Sequence, residues 1–592
     1  MSRFLIQKSM PVLAVLALVA SFLFSGVASP GIALASGGTP PNTKTQFCSN
    51  LGKLYQASAG AQMYCFGPQP NGPAARKTSP SQIKRSFGSN VDAGNPAEDV
   101  SPAGVQMYGQ SETSIAATGP YAVEAWNDAT SFVSSCGASM YKEESTGYGF
   151  SSDGGASFTD EAGLPNNNCT HATYVSDPSV EAWTPGGTAY FYISSMYDPI
   201  FSPSGPPPDS RSFIALAACK VTGTGSSASL SCSQPVLVAA SSQCMNFGGG
   251  FFACNFLDKD FMTIDPVRGR LYISYSEFGI TGGNTIDLAV CDIGTPTGGT
   301  GSAGGTAGTP VCSNGSGGSQ VKPSKPYFVV APTDPNLCEN EGAYPAVDIS
   351  SGDVYVAYEH NWFTSLAGFP GSSCFSQPVQ NVINYVPFSC LTLTATSSCT
   401  GPAARNGVSI TSLEAAFIPG YNRFPMNDFP RLAVSDPAST VSIVWNDARF
   451  HPVGDILMQS FNLKSLSGIQ TAPVQINSSS GGWHLLPSLR NTNAYGNLNI
   501  VFYGRTSPTT GVTNVYAALN ISPLTTSTPG NTLVTNAATN WLNVSSDIVP
   551  NFGDYTDSYT IATPGAPYTG QTVYAAWSDG RLGFPQPFEA HT

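Results

Sequence analysis

A strand–turn–strand unit recurs along this chain, and few folds can be built from it. The first copy is E-T-S-I-A-A-T-G-P-Y-A-V-E-A-W-N-D (112–128), and the second is D-P-S-V-E-A-W-T-P-G-G-T-A-Y-F-Y-I-S (177–194). Further copies start at Asp258, Glu341, Asp428 and Leu485, and a seventh runs from F-G-D-Y (552–555) to W-S-D-G-R (577–581). Alternation at period two and enrichment in β-branched and aromatic residues mark both halves of each copy as strands. A third strand often follows, as in T-I-D-L-A-V-C (285–291) and D-I-L-M-Q-S-F (455–461). Units of roughly 55–90 residues, each an antiparallel sheet, predict the blades of a β-propeller. One blade cannot bury both its faces, whereas blades in a ring bury each other's. The fold class is therefore all-β, a propeller of four-stranded blades. Seven units predict seven blades, or six if one unit is an irregular insertion. The last copy ends at P-F-E-A-H (587–591), so its outer strand is expected from the N-terminal side, at V-Q-M-Y-G (105–109).

Composition fits this reading. Glycine (61) and proline (47) are frequent, which favours short strands and turns over long helices. Charged residues make up 10% and the net charge is −13, with no basic patch, so a nucleic-acid partner is not expected. Arg3 and Lys8 precede an apolar run, and Ala33-Leu34-Ala35 offers a small-residue cleavage site. Residues 1–35 read as a secretory signal, 36–105 as a Pro/Gly/Ser-rich extension and 106–592 as the propeller. No membrane span is expected after signal cleavage, and the expected location is secreted or cell-surface. Fourteen cysteines in an exported chain imply disulfides. The five histidines form no close pair and there is no C-x-x-C, so no metal site and no cofactor are expected, a structural calcium ion aside. G-T-G-S-A-G (299–304) lacks the flanking strand and helix of a nucleotide loop.

Ser151-x-Asp153-x-Gly155-x-Ser157-Phe158 matches the Asp-box pattern S-x-D-x-G-x-[ST]-[WF], placed where a third-to-fourth strand hairpin should turn. With the repeated strand pairs, it makes residues 106–592 resemble the sialidase/neuraminidase superfamily of Asp-box propellers. The aspartate is expected to hold the turn, with Phe158 packed under the blade. Pairing sequence neighbours gives Cys48–Cys65, Cys136–Cys169, Cys219–Cys232, Cys244–Cys254, Cys291–Cys312, Cys338–Cys374 and Cys390–Cys399, a connectivity that sequence alone does not fix. Cys219–Cys232, Cys291–Cys312 and Cys390–Cys399 would staple the hairpins that lack an Asp-box, each contributing about 2–4 kcal/mol.

In four-stranded blades, the starts of first strands and the ends of second strands share one face, here called the top. Asp-box hairpins lie on the opposite face. The top is expected to carry Asp258, Asp260, Glu277, Glu341, Glu359, His360, Asp428, Asp447, Arg449, Arg505, Asp554, Asp579 and Arg581. Arg431 and Arg490 fall in channel-lining first strands. A carboxylate-rich funnel with arginines and aromatics suits a carbohydrate or glycoprotein partner. Against this, W-N-D-A-R (445–449) and W-S-D-G-R (577–581) recur, and Asp447–Arg449 and Asp579–Arg581 can equally be braces within the repeat. The resemblance implies an arginine triad, a tyrosine nucleophile and an aspartate acid/base. The matching candidates are Arg431, Arg490 and Arg581, Tyr503 or Tyr555, and Asp428. The family's early F/Y-R-I-P element is missing: R-F-P (423–425) and F-P-R-L (429–432) lie in a later blade, and no arginine lies between Arg85 and Arg211. Glycan binding is therefore expected, with an exo-sialidase-like glycoside hydrolase as the alternative. A structural envelope or matrix role is the third reading; its support is the low charge and the sequons at Asn168, Asn314, Asn477, Asn520 and Asn543.

Overall fold

Seven antiparallel sheets are arranged as consecutive blades of a ring. The computed structural model describes residues 87–100, 106–131, 146–166, 172–199, 211–246, 252–279, 283–295, 304–312, 328–336, 338–362, 378–391, 399–413, 416–423, 426–491, 496–562 and 571–592. The expected signal, most of the extension and the glycine-rich 296–303 segment lie outside them. Innermost strands, in blade order, are Gln110–Thr118, Ala172–Trp183, Phe256–Asp265, Glu339–Val347, Arg431–Ser435, His484–Asn491 and Asp557–Ala562. Each pairs with the next strand in sequence, and that strand pairs with the third. Apolar side chains of adjacent blades interdigitate in shared clusters. One joins Val123, Phe150, Val180 and Phe191 of blades 1 and 2, and another joins Tyr355, Ile383, Ile443 and Trp445 of blades 4 and 5.

Ring closure differs from the sequence expectation. The last blade ends at Gln586–His591, and its outer partner is Val91–Asp92, in register with Glu589 and Phe588. Of the expected 105–109 stretch, residue 105 lies outside the described residues, and 106–109 do not supply that strand. Gly109 packs on Ile548, and Gln110 already begins the first inner strand. The fold therefore begins within the segment that reads as an extension, because a two-residue pairing leaves too little alternation to register as a strand.

The Ser151–Phe158 turn has the expected form. Asp153 accepts from the Ser157 amide at 2.9 Å and the Ser157 hydroxyl at 2.6 Å, and Ser151 donates to it at 2.9 Å. Gly154 and Gly155 take φ of 80° and 95°, a region that a Cβ resists. Phe158 packs on Ile115, Ala117 and Tyr574. Cys219–Cys232 and Cys291–Cys312 cross the equivalent hairpins of blades 2 and 3, and Cys390–Cys399 sits in that of blade 4. Cys244–Cys254 staples a separate two-stranded hairpin ahead of blade 3. Cys338 is disulfide-bonded. Cys48, Cys65, Cys136, Cys169 and Cys374 lie outside the described residues, and with them three of the expected pairings.

The closing strand adds the amide bonds Gly88 to His591 (2.8 Å) and Ala93 to Pro587 (2.9 Å). A variant starting at residue 96 is expected to lose about 2–4 kcal/mol of stability, at about 1 kcal/mol per bond, read by urea unfolding. An unchanged midpoint would show that the ring closes without this strand.

Candidate functional site

The innermost strands share a device that builds the axis of the ring. Register slips occur at the same place in five of them, between Ser111/Ser114, Ser176/Ser179, Asp258/Phe261, Glu341/Tyr344 and Leu485/Ser488. Each slip holds one residue with positive φ: Glu112 (56°), Asp177 (57°), Lys259 (53°), Gly342 (67°) and Leu486 (49°). These are β-bulges, and Pro178 and Pro487 follow where a bulge leaves no ladder bond to donate. Positive φ at a non-glycine residue costs about 1–3 kcal/mol, so surrounding contacts must hold it. At Gly342 a Cβ would stand 2.3 Å from the Phe429 ring, which explains the glycine.

The bulges of blades 1 to 3 aim their side chains at one another. Lys259 Nζ lies 2.9 Å from Asp177, 3.0 Å from Asp554 and 3.5 Å from Glu112, and all four side chains are buried. Arg423, from the connection into blade 5, also pairs with Asp554. Asn127 bridges Glu112 at 2.8 Å and Asp177 at 3.3 Å. Carboxyls outnumber cations here, so they divide into two kinds. Burial opposes ionisation of Asp177 and Asp554, but Lys259 holds Asp177 below the usual range, and Arg423 and Lys259 do the same for Asp554. Burial and the Asp177 charge push Glu112 well above that range. Glu341 is raised by burial and Asp258, and Asp260 by burial although Ser194 donates to it at 2.5 Å. Asp258 is pushed up to about 7 by burial against the pull of Lys259. Lys259 stays protonated: burial works against it, and Asp177, Glu112 and Asp554 more than offset that.

Below this hub the axis is filled at a level set by Ser114, Ser179, Phe261, Tyr344, Arg431, Ser488 and Asp557, which hold matching registers in the seven blades. Arg431 crosses the channel into an aromatic cage, 4.1 Å from the Phe261 centroid, 4.8 Å from Tyr344 and 5.4 Å from Tyr555. Burial lowers its pKa. Tyr555 also lies under Lys259, at 5.6 Å. Two residues further along the strands, Arg490 meets Glu181 at 2.9 Å, Asp557 at 3.6 Å and the Ser558 carbonyl at 3.1 Å. Tyr559 donates to Glu181 at 3.3 Å. The axis is thus a plug of alternating cations, carboxyls and rings to which every blade contributes.

Arg431 and Arg490 come together, both facing Tyr344, whereas Arg581 belongs to the rim of blade 7. It binds Asp579 at 2.6 Å and Asn90 at 2.9 Å, and lies over Phe588. Asp447–Arg449 repeats that pairing at 2.6 Å. In blades 1, 5 and 7 a tryptophan Nε1 donates to the carboxylate two residues on, Trp126 to Asp128 (3.4 Å), Trp445 to Asp447 (2.9 Å) and Trp577 to Asp579 (2.8 Å). These recurring residues therefore brace the blade. Tyr503 is buried, and its hydroxyl donates to the Ser578 carbonyl at 2.9 Å. Asp428 accepts from Ser412, the Leu413 amide and Asn446 at 2.6–2.9 Å. Glu277 accepts from the Ser242 amide and Asn255, Glu359 accepts from the Asp428 amide, and His360 pairs with Asn340. Arg505 is buried, bonds Thr513 and two carbonyls, and is pulled down to about 10 by burial. Among the described residues no group of three metal-ligating side chains is placed to hold an ion. Asn477 is buried and donates to Asp455 at 2.8 Å, so its sequon is not an acceptor, while Asn520 and Asn543 are exposed.

The top face offers solvent something different. Phe417 is 83% exposed and Phe450 50%, and Leu542, Val549 and Leu582 are exposed on neighbouring top connections. The opposite face carries Val267 and Leu524. The loops that present them touch. Asn422 donates to the Ile548 carbonyl at 2.9 Å, and the Ser545 amide to Gly583 at 2.8 Å. Sequence reasoning missed Lys259, Arg423 and Phe417. Lys259 stands in the same lead as Glu112 and Asp177, which is the signal that finds it.

No protein-family model matches the chain, and no curated protein matches it in sequence. Among solved structures it is similar to a Trypanosoma rangeli sialidase, at 10% identity and TM-score 0.32, covering 85% of this chain and 57% of that one. The chain thus spans little more than half that protein's length. It is also similar to the Hadza microbial sialidase Hz136 (9%, TM-score 0.36, covering 84% and 67%). A third is an endo-arabinase from Bacteroides thetaiotaomicron (11%, TM-score 0.27, covering 59% and 94%). These identities are too low to carry residue roles across.

Lys259→Met leaves Asp177 buried without its cation and Asp554 with Arg423 alone, and is expected to cost about 3–5 kcal/mol in chemical denaturation. A loss below about 1 kcal/mol would show that the hub contributes little. The pH dependence has a definite sign. Asp92, Asp258, Asp436 and Glu589 are pushed up to about 7, chiefly by burial. A raised folded-state carboxyl contributes stability below its unfolded pKa of about 4, and that stability is lost as pH rises through about 7. Asp177 and Asp554, held low, contribute stability that is lost only in stronger acid. The thermal midpoint is therefore expected to be higher at pH 5 than at pH 8, and scans across that range check it.

Proposed function

We propose that this propeller binds carbohydrate, as a glycan or glycoprotein, on its top face over blades 5 to 7, without hydrolysing it. The observation that carries this reading is a division of labour on that face. Its Asp177, Asp447, Asp554 and Asp579 carboxyls are buried and paired with Lys259, Arg423, Arg449 and Arg581, while Phe417 and Phe450 stand exposed. An aromatic ring offers a sugar a flat apolar partner, and nearby Ser507, Thr509 and Asn543 supply hydroxyls and an amide to the same exposed surface. A glycosidase needs two carboxyl groups facing a substrate. Among the described residues, Asp177, Asp554 and Glu181 of the axis are paired with Lys259, Arg423 and Arg490, and the surplus Glu341 and Asp260 are buried. The bridges at Cys219–Cys232, Cys244–Cys254 and Cys291–Cys312 suit an oxidising compartment, so we place the protein outside the cell, after cleavage near Ala35. N-terminal sequencing of exported material checks that placement.

A glycan panel read by calorimetry tests the binding reading. Phe417→Ala and Phe450→Ala are each expected to weaken binding about tenfold or more, with no turnover of fluorogenic glycosides, sialosides included. Turnover that disappears in a folded Arg490→Met variant would overturn it in favour of the hydrolase.

A further inference from the structure

A cavity of about 230 Å³ lies at the lower end of the axis, on the far side of the Arg431 cage from the Lys259 hub. It exists because of residue size. Two residues beyond the plug, blades 4 and 5 place Ala346 and Ala433 on the channel, where blades 3 and 4 one level up place Phe261 and Tyr344. Facing the alanines are Glu181, Arg490 and Tyr559, already joined in one hydrogen-bonded network, with Thr263 and Asn491 beside them. The space holds several waters at about 30 Å³ each, yet falls below the roughly 300 Å³ where pockets for drug-sized molecules begin.

We propose that this lower channel is a second binding site, which takes a small uncharged polyhydroxyl compound about the size of a pentose or hexose. An anion is disfavoured, because Arg490 is already shared between Glu181 and Asp557. A cation is disfavoured by that same guanidinium. An apolar guest would strip water from the remaining donor and acceptor capacity of Glu181, Tyr559 and Asn491, which their bonds to Arg490, Glu181 and Val434 do not exhaust. A ring with hydroxyls on its edge and C–H groups on one face satisfies both walls, with the alanines against the C–H face and the Glu181–Tyr559 side against the hydroxyls. This site does not depend on the top-face reading, since the plug separates the two.

Saturation-transfer NMR and calorimetry on the full chain, with D-xylose, D-glucose and glycerol as probes, test the proposal. Saturable binding of at least one probe is expected. Ala433→Leu, which fills the cavity, should weaken it about tenfold or more. Thr263→Val, which keeps shape but removes a hydroxyl, should weaken it to a lesser degree and guards against a misfolded Ala433→Leu. Phe417→Ala should leave it unchanged. The proposal is overturned if no probe binds saturably, or if binding survives both channel substitutions and is lost in Phe417→Ala.

Discussion

The ring depends on one buried ammonium. Lys259 reaches the axis from a strained bulge in blade 3 and meets carboxylates from blade 2 and from the entry to blade 7, with the blade 1 glutamate close by. Burying such charges is costly, and only close pairing offsets it. The consequence is specificity more than strength. Apolar faces tolerate small slides of one blade against the next, but three bulges that must meet at one nitrogen fix their register. Proton distribution follows from the same constraint. The carboxylates of Asp177 and Asp554 balance Lys259 and Arg423, and burial pushes the pKa of surplus carboxyls such as Glu112 and Glu341 upward.

The plug also decides where the protein can meet other molecules. Polar residues that a sequence reading assigns to an open funnel instead tie blades together. The Trp–Asp pairs of blades 1, 5 and 7 show the same economy at the rim, where one carboxylate takes the indole N–H and the backbone amide of the following turn. What remains for partners is surface that the braces do not use, namely the exposed rings of the top loops and the small lower chamber.

Much of the architecture is legible in the sequence, because strand alternation and the spacing of paired strands are local properties. The seven blades, the Ser151–Phe158 turn and the cysteine staples at hairpins follow from such local patterns. The closing strand does not, since Val91–Asp92 is too short to show a period and its partner lies about five hundred residues away. The site was legible only as a set of candidates. Strand order alone separates Arg431 and Arg490, on channel-lining first strands, from Arg581 at a rim, but which of them meet, and on which partners, is set by contacts between blades. Lys259 stands in the same strand lead as Glu112 and Asp177, but nothing local announces that three blades converge on it.

Lysine accessibility tests the sealed, ion-paired axis most directly. Brief acylation of the native protein, followed by peptide mass spectrometry, compares Lys259 with Lys464, whose side chain is 63% exposed. Lys259 should react on the order of a hundredfold more slowly than Lys464, and equally fast once the chain is unfolded. Comparable labelling of the two in the native state would mean that the axis is open to solvent and that its carboxyls and arginines are free to act on a ligand.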